Sequence, residues 1–281
     1  MLGALIIVFR EVIEAGLIVG IVLAVTLGVP RRGFYVCGGI AAGLLGASLL
    51  AIFAGALANA VAGVGQELFN AGVLGLAVVM LAWHNIWMAS HGREMTESLR
   101  KAGQAVAEGS KSLTALAIVV AVAVLREGSE VVLFLYGIVA TGTAGFGALL
   151  LGGLLGLALG AALSAFMFFG LVKIPARHLF SVTTTLITFL AAGMAAQAVV
   201  FLQQAGIATA LSQTLWDTSN ILPDDSLIGR VLHTLFGYVD QPSGMQVLAY
   251  GATLALIFVA TRLVAGTTPT LDRKNRAAVS G

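Results

Sequence analysis

The sequence predicts an all-α polytopic membrane protein of seven transmembrane helices, built as two inverted three-helix repeats plus a seventh helix. Three observations predict it. Long apolar runs recur along the 281-residue chain, which is 59% hydrophobic and 10% charged with a mean hydropathy of +1.00. A charged pentad, Arg-Glu-x-x-Glu, occurs twice inside those runs, at Arg10 to Glu14 and Arg126 to Glu130. Twelve of the fifteen Lys and Arg residues fall on one side of the seven-span arrangement. A soluble domain carries roughly 25% charged residues, and a β-barrel strand alternates polar with apolar positions, so both classes are excluded. The formal charge of +2 points to no nucleic-acid partner.

The spans cover 2–28, 34–58, 68–89, 113–140, 145–171, 178–203 and 244–265. Each is about the length that crosses a bilayer core. Span 1 does not read as a signal peptide, because it lacks a basic leading region and carries three charges in its apolar stretch. In span 2, Gly39 and Gly43 have the spacing that lets helices approach closely, as do Gly152, Gly156 and Gly160 in span 5. The single cysteine, Cys37, rules out an internal disulfide.

Arg31 and Arg32 follow span 1, and Arg93, Arg100, Lys101 and Lys111 follow span 3. Lys173 and Arg177 follow span 5, while Arg262, Arg273, Lys274 and Arg276 lie at or beyond the end of span 7. Only Arg230 lies opposite. The positive-inside rule then places the N-terminus outside and the C-terminus inside. Spans 1 and 4 become antiparallel, with their motifs 116 residues apart. The predicted organisation is a seven-helix domain over 1–265, with one repeat in 1–89, the second in 113–203 and the seventh helix at 244–265. Inverted repeats that gather polar groups at the midplane are a recurring plan of secondary transporters.

Three polar pieces remain. Loop 90–112 reads as a short charged helix at the membrane surface, and 266–281 as a disordered cytoplasmic tail. The extracytoplasmic loop 204–243 holds an amphipathic pattern of Leu227, Ile228, Val231, Leu232, Leu235 and Phe236, started by Pro223, Asp224 and Asp225. Its acidic residues Asp217, Asp224, Asp225 and Asp240 either capture cations at the mouth or serve as turn and cap residues.

The chemistry concentrates in the two pentads. At about 100° per residue, the last Glu lies about 40° from the Arg and the first about 100°, so all three charges share one stripe. A charge at the bilayer centre costs roughly 2.5–3.5 kcal/mol, so each stripe must face the bundle interior. If the helices cross near the midplane, Glu11, Glu14, Glu127 and Glu130 meet Arg10 and Arg126 with a formal charge of −2. A multivalent cation completes the neutralisation, and oxygen ligands favour hard ions. The set suits Fe(III) and equally accepts Mn, Mg or Ca; the competing reading is a buried ion pair that glues helices.

Other polar positions give weaker signals. His84 and Asn85 sit between Trp83 and Trp87, where a lone His reads as a helix–helix hydrogen bonder or interface residue sooner than as a functional one. Thr183, Thr184, Thr185 and Thr188 satisfy their hydroxyls on their own backbone, and Gln197, Gln203 and Gln204 are candidates for an outer vestibule.

The segments Phe9 to Ala15 and Leu125 to Val131, set in spans 1 and 4 of a seven-span chain, resemble the oxidase-dependent high-affinity iron permeases, fungal and bacterial. The stretch from Leu215 and Trp216 through Asp225, Gly229 and Gly237 to Gly244 is similar to the last outer loop of the bacterial members. The resemblance covers essentially the whole chain. It implies iron uptake across the cytoplasmic (inner) membrane, with Glu11, Glu14, Glu127 and Glu130 as metal ligands and Arg10 and Arg126 as charge partners. It implies a transporter rather than an enzyme, with no cofactor and the iron ion as substrate. It also implies membrane lipid as the surroundings and an extracytoplasmic iron-oxidising or iron-delivering protein as partner. Two alternatives stand beside it: a permease for another hard cation such as Mn or Pb, and a lipid pyrophosphate enzyme using intramembrane glutamates. For the enzyme, only Ser129 adjoins the motifs as further phosphate chemistry. No His-Glu-x-x-His occurs, which argues against a metalloprotease.

Overall fold

A computed structural model describes residues 1–60, 65–140, 145–170 and 176–267. The described residues form, in order, the helices α1 (Leu2–Val25), α2 (Arg32–Ala60), α3 (Gln66–Ala107), α4 (Leu113–Ala140), α5 (Phe146–Phe168), α6 (Ala176–Gln204), α7 (Leu227–Phe236) and α8 (Gly244–Thr267). The one β feature among the described residues is an isolated antiparallel bridge between Thr214 and Ser243. The predicted tail beyond 267, with Arg273, Lys274 and Arg276, lies outside the described residues, as do Lys173 and the side chains of Arg93, Glu94 and Arg177.

Among the described residues, five helices are long and apolar enough to cross a membrane: α2, the first half of α3, α5, α6 and α8. Helices α1 and α4 have 24 and 28 residues, enough length to span, and each carries the three charges of its pentad. Large apolar side chains on α2, α5 and α8 point outward, among them Leu45, Leu49, Phe53, Leu154, Leu256 and Phe258. An apolar surface of this extent calls for lipid around it.

Local chemistry fixes the helix ends. The Thr26 hydroxyl donates to Val22 O at 2.7 Å, and the Arg32 guanidinium to Leu23 O at 3.0 Å, so two carbonyls left open at the end of α1 are satisfied. The chain then turns through Gly28 at φ +91. Helix α3 departs from expectation. It runs unbroken for 42 residues to Ala107, so the segment read as a separate surface helix continues the third span. No proline interrupts residues 66–107, and Glu97 pairs with Lys101 one turn on at 3.3 Å, which supports a solvated extension.

The packing repeats itself. Helix α5 lies against α1, and a Cβ on Gly152, Gly156 or Gly160 would collide with Met1 O, Leu5 O or Phe9 O. Helix α2 lies against α4, and a Cβ on Gly39 or Gly43 would collide with Ala117 O or Ala121 O. Met1 and Leu5 precede Ala117 and Ala121 by 116 residues, the same interval that separates the two pentads. Absent side chains on α2 and α5 are thus what bring each motif helix to its partner.

Two apolar clusters form the core. One joins Ala4, Ile7, Leu74, Leu81, Phe134, Ile187 and Met194 from α1, α3, α4 and α6. The other joins Val22, Val36, Val106, Leu116, Val120 and Val124. The pentads lie between them in sequence on both motif helices, so a layer of charge is closed above and below by hydrocarbon.

Candidate metal centre

Arg10, Glu11 and Glu14 of α1 are buried at 1%, 1% and 4% exposure, and Glu127 and Glu130 of α4 at 3% and 7%. The helical stripe predicts that Arg10 meets Glu14 more directly than Glu11, and the geometry agrees. Arg10 Nε donates to Glu14 Oε1 at 2.9 Å, while its Nη1 stands 4.0 Å from Glu11 Oε1. In the second motif Arg126 Nε lies 3.4 Å from Glu130 Oε1 and 3.9 Å from Glu127 Oε1. The Arg126 guanidinium also sits 4.6 Å from the centre of the Trp87 ring, in cation–π range.

The two motifs meet. Ligand-capable atoms of Glu11, Glu127 and Glu130 lie within 4.8 Å of one another, and so do those of Glu11, Glu14 and His84. Glu11 belongs to both sets, and neither of its carboxylate oxygens has a hydrogen-bond partner. One oxygen each of Glu14, Glu127 and Glu130 is also buried without one. A buried carboxylate oxygen left unbonded is strongly disfavoured unless a charge completes it. An ion held at about 2.0–2.6 Å from its ligands fits between atoms at these separations.

His84 of α3 also joins this cluster, and it is absent from the site residues expected from the sequence. Its Nε2 lies 3.3 Å from Glu14 Oε2 and its Nδ1 2.5 Å from Glu130 Oε2, so one imidazole touches both pentads. The signal was available: an ionisable residue inside an apolar span marks a functional position by default. Its neighbour Asn85 makes a helix–helix bond, donating from Nδ2 to Thr188 Oγ1 at 3.3 Å. Thr188 and Thr185 donate to the carbonyls of Thr184 and Ser181, as expected of threonines in a span. Ser129 donates to Arg126 O at 2.6 Å, so its hydroxyl is engaged with its own helix.

The outer acidic residues are not brought to this layer. Asp217 accepts from Ser219 N and Oγ at 2.9 and 2.6 Å, an Asx turn. Those bonds hold its pKa below the usual carboxylate value. Asp224 and Asp240 each accept from the other's backbone N–H at 3.2 Å. Partial burial, then the neighbouring Asp240, push the Asp224 pKa upward. Asp225 is exposed, and the amphipathic helix starts at Ser226, whose Oγ accepts from Gly229 N at 2.9 Å, rather than at Asp224 or Asp225. Of the glutamines, Gln197 lines a cleft with Gly3, Ile138, His233 and Thr234, Gln203 donates to Ser243 Oγ at 3.2 Å, and Gln204 is exposed.

Residues 1–268 match the iron permease FTR1 family. The chain is 32% identical over 262 residues to the ferrous iron permease EfeU of Shigella sonnei, covering 92% of this chain and 94% of that protein. It is 32% identical over 249 residues to EfeU of Escherichia coli O6:H1, covering 87% and 89%. To EfeU of Yersinia pestis it is 31% identical over 277 residues, covering 95% and 97%. No solved structure matches the chain.

Proposed function

From the premise that the chain belongs to the iron permease FTR1 family, we propose that it carries iron across the cytoplasmic membrane through the layer where the two pentads meet. In this reading Glu11, Glu14, Glu127 and Glu130 hold the ion, and Arg10 and Arg126 allow more of those carboxylates to stay charged in a dry site between passages. The observation that carries it is Glu11: a fully buried carboxylate with no hydrogen-bond partner, shared by two ligand sets. The relatives are named ferrous iron permeases, which points to the ferrous ion.

The architecture proposed is seven spans with the N-terminus outside and the C-terminus inside. Supporting it are the length of α1 and α4, the distribution of Lys and Arg, and the matched helix pairs α1 with α5 and α2 with α4. Spans 1–3 and 4–6 then form the inverted repeats, and the apolar clusters on either side of the charged layer keep water out while the ion is held. Iron reaches the outer mouth from an extracytoplasmic partner that oxidises or delivers it.

The test is iron uptake into proteoliposomes, normalised to folded protein. Normalisation matters because breaking a buried ion pair costs roughly 3–5 kcal/mol whatever its role. Each single Glu→Gln variant at Glu11, Glu14, Glu127 and Glu130 loses most uptake. Glu14→Gln with Glu130→Gln is hardly worse than either alone, because ligands of one ion act as a unit. Replacing Arg10 and Glu14 together by leucine restores folding without uptake; iron transport by that double variant would sink the assignment.

A further inference from the structure

The four-glutamate reading leaves His84 without a task. It is 3% exposed, it stands in the middle of the charged layer, and both its ring nitrogens are buried. Each nitrogen lies close to a carboxylate oxygen, Nδ1 at 2.5 Å from Glu130 and Nε2 at 3.3 Å from Glu14. The imidazole borders a space lined also by the two unbonded oxygens of Glu11.

We propose that His84 is itself a ligand for the transported ion. Its Nε2 joins Glu11 and Glu14 in a nitrogen-containing station beside an all-oxygen station of Glu11, Glu127 and Glu130. The proposal rests on the iron-permease reading and refines its ligand set. Three features carry it. The atoms of Glu11, Glu14 and His84 converge within 4.8 Å, close enough for one ion. The remaining nitrogen, Nδ1, faces Glu130 Oε2, and a metal-bound imidazole almost always gives its second N–H to a carboxylate or carbonyl. That carboxylate fixes the tautomer, leaving the Nε2 lone pair free for the ion. Finally, Glu11 is common to both stations, so an ion passes from one to the other without leaving that carboxylate.

The two stations differ in chemistry. Three carboxylates accept any hard cation, whereas imidazole favours first-row transition ions such as Fe(II), Co(II) and Ni(II) over Ca(II) and Mg(II). His84 therefore supplies the discrimination that a glutamate cage lacks. Glu130 changes role with the position of the ion: ligand in the oxygen station, partner of Nδ1 in the other.

Two measurements on the purified full-length protein test this, with His84→Gln and His84→Asn as variants and size-exclusion elution as the check of fold. Pulsed EPR of bound Cu(II), used as a probe, reads the remote nitrogen of a coordinated imidazole. The wild-type protein gives that signal and both variants lose it. In proteoliposomes supplied with Fe(II), inhibition by Co(II) weakens about tenfold or more in the variants, the loss typical of a disturbed metal site. Inhibition by Ca(II) stays level or strengthens. A retained nitrogen signal, or an unchanged Co(II) to Ca(II) preference in both variants, overturns the assignment of His84. Glu11→Gln and Glu127→Gln in the same assays separate the two claims. If they transport iron normally, the site as a whole is wrong; if they fail while the His84 variants keep signal and preference, only the histidine ligand is wrong.

Discussion

The two pentads share a pattern and differ in their surroundings. Arg10 is sealed at 1% exposure, whereas the Arg126 side chain is 37% exposed. Arg10 closes on Glu14 at 2.9 Å; Arg126 stands 3.4 Å from Glu130 and shares its guanidinium with the Trp87 ring. The reason is the neighbours of each helix. Helix α1 packs against α3, α4, α5 and α6, and its pentad charges are all buried. Helix α4 packs on α1, α2 and α3, and the Arg126 guanidinium lies over the Trp87 ring with its side chain partly exposed. Identical motifs therefore give one guanidinium that is a fixed strut and one at an open edge, although their four glutamates are all buried.

The sharpest way to break this comparison is to replace each arginine by lysine. The planar fork of Arg bridges two carboxylates, while an ammonium is a point charge that is strongly hydrated. In the sealed position that hydration is lost; at the open edge part of it is kept. Arg10→Lys is expected to lower uptake per folded protein by about tenfold or more, Arg126→Lys by a few-fold, each 1.4 kcal/mol of lost interaction being a factor of ten. Equal losses would show that exposure of Arg126 has no functional weight, and normal uptake in both would show that only charge balance matters.

Beneath the unlike arginines the scaffold is alike, and glycine substitutions sharpen that point. An alanine Cβ at Gly43 would stand 2.7 Å from Val124 Cβ, and one at Gly156 2.6 Å from Leu5 O. Overpacking of this kind typically costs 1–3 kcal/mol, so about that loss is expected for Gly43→Ala and Gly156→Ala alike. Gly38 and Gly153 have nothing within 4 Å of the added carbon, and alanine there is expected to be silent or mildly stabilising. Thermal unfolding in detergent measures all four. Unequal effects at Gly43 and Gly156 would mean that the two motif helices are not held in the same way.

Much of this was legible in the chain because lipid constrains sequence so strongly. Apolar length marked the helices, and the 100° step of a helix put Arg10 on Glu14 before any contact was known. The glycines of spans 2 and 5 announced close approach without saying to what; that they seat α4 and α1 follows only from the tertiary pairing. His84 was left out of the expected site because one histidine in a span has no pattern around it. Its place in the cluster comes from α3 packing against both α1 and α4, a contact between residues 70 and 46 positions apart in the chain. Helix α3 overran its expected end for a related reason. Hydropathy marks where lipid stops, and a helix with no breaker continues into water.

The smallest effects belong to the outer loop, where the same comparison of closed and open carboxylates recurs. Asp224 is half-buried against Asp240, and its pKa is raised by burial first and by that neighbour second. A carboxyl whose folded pKa exceeds its unfolded value binds protons more readily folded than unfolded. Its contribution to stability is therefore fully present in acid and is lost as pH rises through the folded pKa. Asp224→Asn keeps the oxygen that accepts from Asp240 N–H and removes the charge. It is expected to slow proteolysis of loop 204–243 at neutral pH and to leave the difference absent in acid; faster cleavage at neutral pH would contradict the sign. Asp217 is the opposite case: exposed, bonded to Ser219, and held below the ordinary pKa, so it gives up its proton at lower pH than a free aspartate. If either acts in capture it is this one, because a charge in open solvent attracts a cation over roughly a Debye length. Asp217→Asn is expected to raise the apparent KM for iron slightly at low ionic strength and to leave the maximal rate alone. At about 0.15 M salt the shift disappears, since screening over ~8 Å removes the attraction. A change in maximal rate, or a KM shift that survives salt, would assign Asp217 to holding its turn instead.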